Sequence, residues 1–189
     1  MTTAIEPARC IGVVLAGGLS SRMGRDKALL PWHGRPLIEH QIALLKAAGA
    51  NEVKVSGSRP DYHGVADLVP LAGPIGGIAS IAAACDDGDL LIVPVDMPRL
   101  QASLLQRLLD AERNAACARF VNRVLPMRLR LNASSRGALN ALIVATDKRD
   151  RSLRALQERI GMVEIALSDD EAKQLIDCNT EETWQEVIA

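Results

Sequence analysis

Apolar residues along this chain alternate between short unbroken runs and helical spacings. Residues 11–16 form a continuous apolar segment, which predicts a parallel strand covered on both faces. Leu37, Ile38, Ile42, Leu45 and Ala48 recur every three or four residues and predict a helix that Gly49 stops. Residues 52–56 read as a second strand, 76–85 as a helix of small residues and 90–95 as another fully buried strand. The second half is less regular. The pattern there predicts helices over 102–114, 137–145, 151–160 and 181–188, and strands over 117–122, 127–132 and 162–167.

Strands alternating with helices, joined by right-handed crossovers, give an α/β fold with a mostly parallel, doubly wound sheet. Its ligand crevice lies beyond the carboxyl ends of the strands. A chain of 189 residues suits one domain over 1–189. Lys and Arg (22) nearly balance Asp and Glu (23), and Phe and Tyr occur once each. That composition argues against a nucleic-acid partner, so any basic function must be local. The first ten residues lack the basic and apolar regions of a signal peptide, and no run approaches the roughly 18 apolar residues of a membrane span. A cytoplasmic chain without a membrane partner is expected. Cys10, Cys85, Cys117 and Cys178 are widely spaced and read as reduced thiols, and His33, His40 and His63 lack metal-ligand spacing.

The loop after the first strand adds the chemistry. "LAGGLSSRMGRDKALL" (residues 15–30) combines paired glycines with Arg22, Arg25 and Lys27. Glycines let backbone N–H groups approach an anion, and nearby cations favour it, so a phosphate ligand is expected. Gly24 is followed by Arg25 and Asp26 before Lys27, which is not Walker spacing, and no G-x-G-x-x-G is present. The stretch instead resembles the signature of molybdenum cofactor guanylyltransferases, within the nucleotidyltransferase superfamily. "AGPIGGI" (72–78) and "LLIVPVDMPRL" (90–100) are similar to two further segments of that family, in the same order. "IDCNTEETW" (176–184) is similar to its N-x-N-T-P-E segment, but has Asp177 at the first position and Glu181 where proline is usual.

The resemblance implies a three-layer α/β/α sandwich, Rossmann-like, with about residues 10–100 holding the nucleotide and 101–189 the acceptor. It implies transfer of GMP from GTP to molybdenum-molybdopterin, with release of pyrophosphate. Lys27, Asp96 and Arg22 are the implied catalytic residues. Leu15, Ala16, Gly17, Gly18, Lys27, Asp67 and Asp96 are implied for GTP. Asp96, with Asp177 or Asn179, is expected to hold Mg²⁺, which takes one or two carboxylates plus phosphate oxygens and water. The other reading of Asp96 is a helix cap. Asp26 is expected to hold the loop in shape by pairing with Lys27 or an arginine, and Asp67 to read guanine or a ribose hydroxyl. Transient contacts with molybdenum-insertion proteins and recipient molybdoenzymes are the implied protein partners. The alternatives are a nucleotidyltransferase with another base or acceptor, such as a molybdopterin cytidylyltransferase, and a non-catalytic nucleotide-binding regulator.

One segment departs from the family pattern. Residues 115–146 contain no acid but do contain Arg119, Arg123, Arg128, Arg130 and Arg136. Period two places Arg128 and Arg130 on one face of a strand, either as a basic wall for the acceptor's phosphate or as the charged face of an edge strand.

Overall fold

A computed structural model describes residues 9–17, 24–147 and 149–188. In chain order the elements are β1 (Cys10–Leu15), a 3₁₀ turn (Lys27–Leu29), β2 (Pro31–Trp32), β3 (Arg35–Pro36), α1 (Leu37–Ala48), β4 (Glu52–Ser56), a second 3₁₀ turn (Pro60–Tyr62), α2 (Gly73–Ala83) and β5 (Gly88–Pro94). There follow α3 (Ala102–Asp110), β6 (Cys117–Phe120), β7 (Met127–Leu131), α4 (Ala133–Ile143), α5 (Leu153–Ile160), β8 (Val163–Ile165), α6 (Asp169–Gln174) and α7 (Glu181–Ile188).

Six strands form one sheet in the order β4-β1-β5-β7-β6-β8. β1 runs parallel to β4 and β5, and β6 runs parallel to β8. β7 is antiparallel to both of its neighbours, with Ile92 opposite Met127 and Asp89 opposite Arg130. That reversal carries the β6–β7 turn back to the carboxyl end of β5. The sheet is mostly parallel and has helices on both faces, as the apolar pattern predicts.

Because side chains alternate across a strand, β1 feeds two cores. Val14 packs with Leu91, Val93, Leu45 and the Leu104, Leu105 and Leu108 stripe of α3 on one face. Ile11 and Val13 pack with Ile75, Ile78 and Ile81 of α2 and Leu139 and Leu142 of α4 on the other. A third cluster joins Trp32 and Leu37 to Cys178 and Trp184, fixing α7 against the β2–β3 hairpin. The hairpin turn has positive φ at His33 and Gly34, as a two-residue turn of the primed type requires.

Element ends differ from the sequence reading where caps override periodicity. Gly49 ends α1 in the left-handed region, its N–H reaching the Leu45 and Lys46 carbonyls. α2 begins three residues earlier than its apolar pattern, with Pro74 in its first turn. Asn132, read as strand, caps α4 by accepting from Ser135 N. α6 is missing from the periodicity because it is short and buries no residue; its signal is the Ser168–Glu171 capping box. All four cysteines are free thiols, and burial pushes those of Cys10, Cys117 and Cys178 up to about 11. Among the described residues no helix is long and apolar enough to cross a membrane.

Candidate active site

The glycine loop leaves the carboxyl end of β1, with Ala16 N still donating to Ser56 O of β4 at 3.2 Å. Gly57 follows at φ 112°, and a Cβ there would stand 2.9 Å from Gly17 Cα. Only glycine allows the two chains to approach so closely. Gly18 and Arg22 lie outside the described residues.

Arg59, unremarked in the sequence, fixes the loop. Its Nη2 donates to Ala16 O and to Asp26 Oδ1, both at 2.9 Å, and its Nη1 donates to Asp26 Oδ2. Asp26 Oδ1 also accepts from Ala28 N at 3.0 Å, capping the 3₁₀ turn that carries Lys27. Arg59 thus ties the exit of β1 to the residue beside Lys27. Its hydrogen bond holds the Asp26 carboxyl below the ordinary value. Leu15, Ala16, Gly17, Asp26, Lys27, Ala28, Arg59 and Val95 line a cleft of about 120 Å³.

Asp96 follows β5 on the same rim. Its segment is held from three sides: Val95 N donates to Leu15 O (3.2 Å), Cys178 N to Asp96 O (2.8 Å), and the buried Gln41 to Met97 O (2.8 Å). Lys27 Nζ donates to Asp96 Oδ2 at 3.0 Å and to Asn179 Oδ1 at 2.5 Å. The Lys27 and Asp96 side chains are only 13% and 17% exposed. Asp96 does not cap α3; Gln101 holds that place without a side-chain bond. Among the described residues Asp96 Oδ1 accepts no hydrogen bond. Of the two expected second ligands the structure brings in Asn179, whereas Asp177 is exposed and no bond ties it to the cluster. Among the described residues no three His, Cys, Asp or Glu side chains gather as a metal site.

Asp67 sits before α2. Gly77 lies beside it and leaves room for Ser56 Oγ, with which a Cβ there would collide, whereas Asp67 Oδ1 would be in ordinary contact at 3.6 Å. That oxygen is buried without a partner among the described residues, and burial pushes the carboxyl above its ordinary value of 3.8. The folded state therefore holds the proton more tightly than the unfolded chain, and stability falls as pH rises through the folded pKa. Asp67→Asn removes this penalty. Its melting temperature should exceed wild type at pH 8, with the gain shrinking towards pH 4; a variant less stable at pH 8 would contradict the orphaned carboxylate.

Arg128 and Arg130 correct the sequence reading. They share one face, but that face is covered by α3 at the amino end of the sheet, the end opposite Lys27 and Asp96. Arg128 is 1% exposed and donates to Glu112 O at 2.8 Å. Asp89 stands 3.9 Å from Arg128 Nη1 and 3.5 Å from Arg130 Nε. The arginines and Asp89 line an opening of about 390 Å³ with Cys10, Asn51 and Arg113, remote from the loop. The edge-strand alternative falls too, because β7 lies inside the sheet between β5 and β6.

A three-layer α/β sandwich with a glycine loop after β1, and Lys27, Asp96 and Asn179 converging beyond the strand ends, defines a nucleotidyltransferase. Comparison with known proteins makes this specific. The chain belongs to the MobA-like NTP transferase domain family, whose model matches residues 12–163. It is 52% identical to the molybdenum cofactor guanylyltransferase of Xanthomonas euvesicatoria, over 94% of this chain and 93% of that one. Its fold is similar to that of the molybdopterin-guanine dinucleotide biosynthesis protein A of Archaeoglobus fulgidus, at TM-score 0.73 and 19% identity, covering 93% of this chain and 95% of that one. A Mycobacterium tuberculosis protein solved with manganese is similar at TM-score 0.63 and 16% identity, covering 95% of this chain and 97% of that one.

Proposed function

We propose that the chain transfers GMP from GTP to molybdenum-molybdopterin, releasing pyrophosphate. An oxygen of the acceptor's phosphate bonds to the α-phosphorus of GTP. The bond from that phosphorus to the bridging oxygen breaks, and pyrophosphate leaves with the electron pair. A phosphate monoester is largely dianionic above its second pKa of about 6, so the step needs no general base. What it needs is alignment and neutralised charge. The convergence of Lys27, Asp96 and Asn179 from three distant segments carries this reading. The extent of the likeness to the Xanthomonas guanylyltransferase supports the base and the acceptor.

Without nucleotide, Lys27 and Asp96 neutralise one another. A triphosphate in the cleft offers Lys27 a stronger anionic partner, and frees both Asp96 oxygens. Asp96, with the amide oxygen of Asn179, supplies oxygen donors of the kind Mg²⁺ takes alongside phosphates and water. That ion, when bound, neutralises charge on the triphosphate. Arg59 and Asp26 hold Lys27 in place throughout. Asp67 offers its orphaned oxygen to the N1–H and N2–H₂ donors of guanine. We assign about residues 10–100 to the nucleotide and 101–189 to the acceptor, within one unit.

Binding of GTP, CTP, ATP and UTP with and without Mg²⁺ tests the assignment. GTP should bind tightest, and Asp67→Asn should narrow its lead over CTP. Equal affinity for all four nucleotides would overturn the base assignment.

A further inference from the structure

With Arg128 and Arg130 removed from the acceptor side, another cation of the acid-free segment stands at the right end of the sheet. β7 begins opposite Ile92 and runs antiparallel to β5, so the turn before Met127 lies at the carboxyl end of the sheet, the end at which β5 leads into Asp96. Residues 121–126 therefore border the same rim as Lys27, on the side away from β4 and Asp67. Arg123 lies in this turn. The backbone there is anchored: Arg123 N donates to Phe120 O and Val121 N to Ile165 O, both at 3.0 Å. Gln157, fully buried, donates to Val124 O and accepts from Arg119 Nη1, both at 2.9 Å. These bonds fix the backbone of the turn at both Val121 and Val124.

The other arginines of the segment are engaged. Arg119 pairs with Glu164, Arg128 and Arg130 face Asp89, and Arg136 binds Asp87 and two α2-side carbonyls. Arg123 alone among these five is exposed with no ion pair or side-chain hydrogen bond to a described residue. No acid between residues 115 and 146 competes for it locally. A guanidinium carried on a pinned turn at the carboxyl end of the sheet can match a phosphate bidentately.

We propose that Arg123 binds the phosphate monoester of the acceptor and aims it at the α-phosphorus. This rests on the guanylyl-transfer reading above. The test uses two competitors against molybdopterin, a pterin carrying a phosphate monoester and the same pterin without it, in wild type, Arg123→Gln and Arg123→Lys. Arg123→Gln should raise the inhibition constant of the phosphorylated pterin about tenfold and lower kcat/KM for molybdopterin comparably. Arg123→Lys should recover part of both, since a point charge replaces the fork. The unphosphorylated pterin, GTP affinity and the melting temperature should not move. If the phosphorylated pterin binds wild type and Arg123→Gln alike, the proposal is overturned while guanylyl transfer stands. If wild type itself transfers no GMP from GTP, the reading fails and this proposal falls with it.

Discussion

Replacing Asp96 by Asn should lower kcat by at least about a hundredfold while leaving the fold standing. The amide keeps the size of the carboxylate but removes the charge that partners Lys27 and that, on the proposed function, helps hold Mg²⁺ beside the triphosphate. The backbone of the segment is unaffected, because it is held through Val95 N, Gln41 and Cys178 N rather than through the side chain. Lys27 also retains its bond to Asn179 and can still donate to the amide oxygen, so although the pair is mostly buried the loss of its charge costs about 1–3 kcal/mol. Steady-state kinetics with Mg²⁺-GTP beside a thermal melt separates the two effects. A variant that melts much earlier yet keeps its turnover would make Asp96 a structural carboxylate only.

Arg128→Leu should have the opposite profile. Arg128 is buried and faces Asp89, whose side chain is 13% exposed. Removing Arg128 leaves Asp89 with only the part-exposed Arg130 and leaves Glu112 O without its donor, at a cost of about 3 kcal/mol. For a chain of this length that is a fall in melting temperature of roughly 6–12 °C. Arg130→Gln, at a position 32% exposed, should cost about 1 kcal/mol or less. Combining Arg128→Leu with Asp89→Leu should recover much of the loss, since a well-packed apolar pair can replace a buried ionic one. In each variant KM for molybdopterin should equal that of wild type, measured below the melting transition. A raised acceptor KM without loss of stability would return these arginines to the acceptor site.

The contrast between Asp96 and Arg128 follows what was legible in the sequence. The strand before Asp96 is apolar from Leu90 to Val95, and the loop after β1 declares its chemistry within sixteen consecutive residues, so both could be read locally. Gly49 marks the end of α1, and β4 matches its predicted span, because backbone rules act over a few residues. The alternation in β7 gives the correct face-sharing of Arg128 and Arg130, but alternation alone does not say what covers a face. Their counter-ion, Asp89, lies about forty residues earlier, and the carbonyl that accepts from Arg128 Nη2 comes from the turn after α3. Arg59 escaped notice for the same reason: its meaning depends on Asp26, 33 residues away, and on a main-chain oxygen that no side-chain pattern encodes. Gln41 likewise acquires its role only when the Asp96 segment folds against it, whereas Asn179 was within reach through the resemblance of residues 176–184.

Transfer from the α-phosphorus is the claim on which the site, the metal and the acceptor all depend. It is tested most directly by incubating the enzyme with Mg²⁺, molybdenum-molybdopterin and GTP labelled separately at the α- and γ-phosphorus. The account predicts α-label in a guanine dinucleotide form of the cofactor and γ-label in pyrophosphate. Label from the γ position in the pterin product, or release of γ-label as orthophosphate with no α-label joined to the pterin, would contradict it.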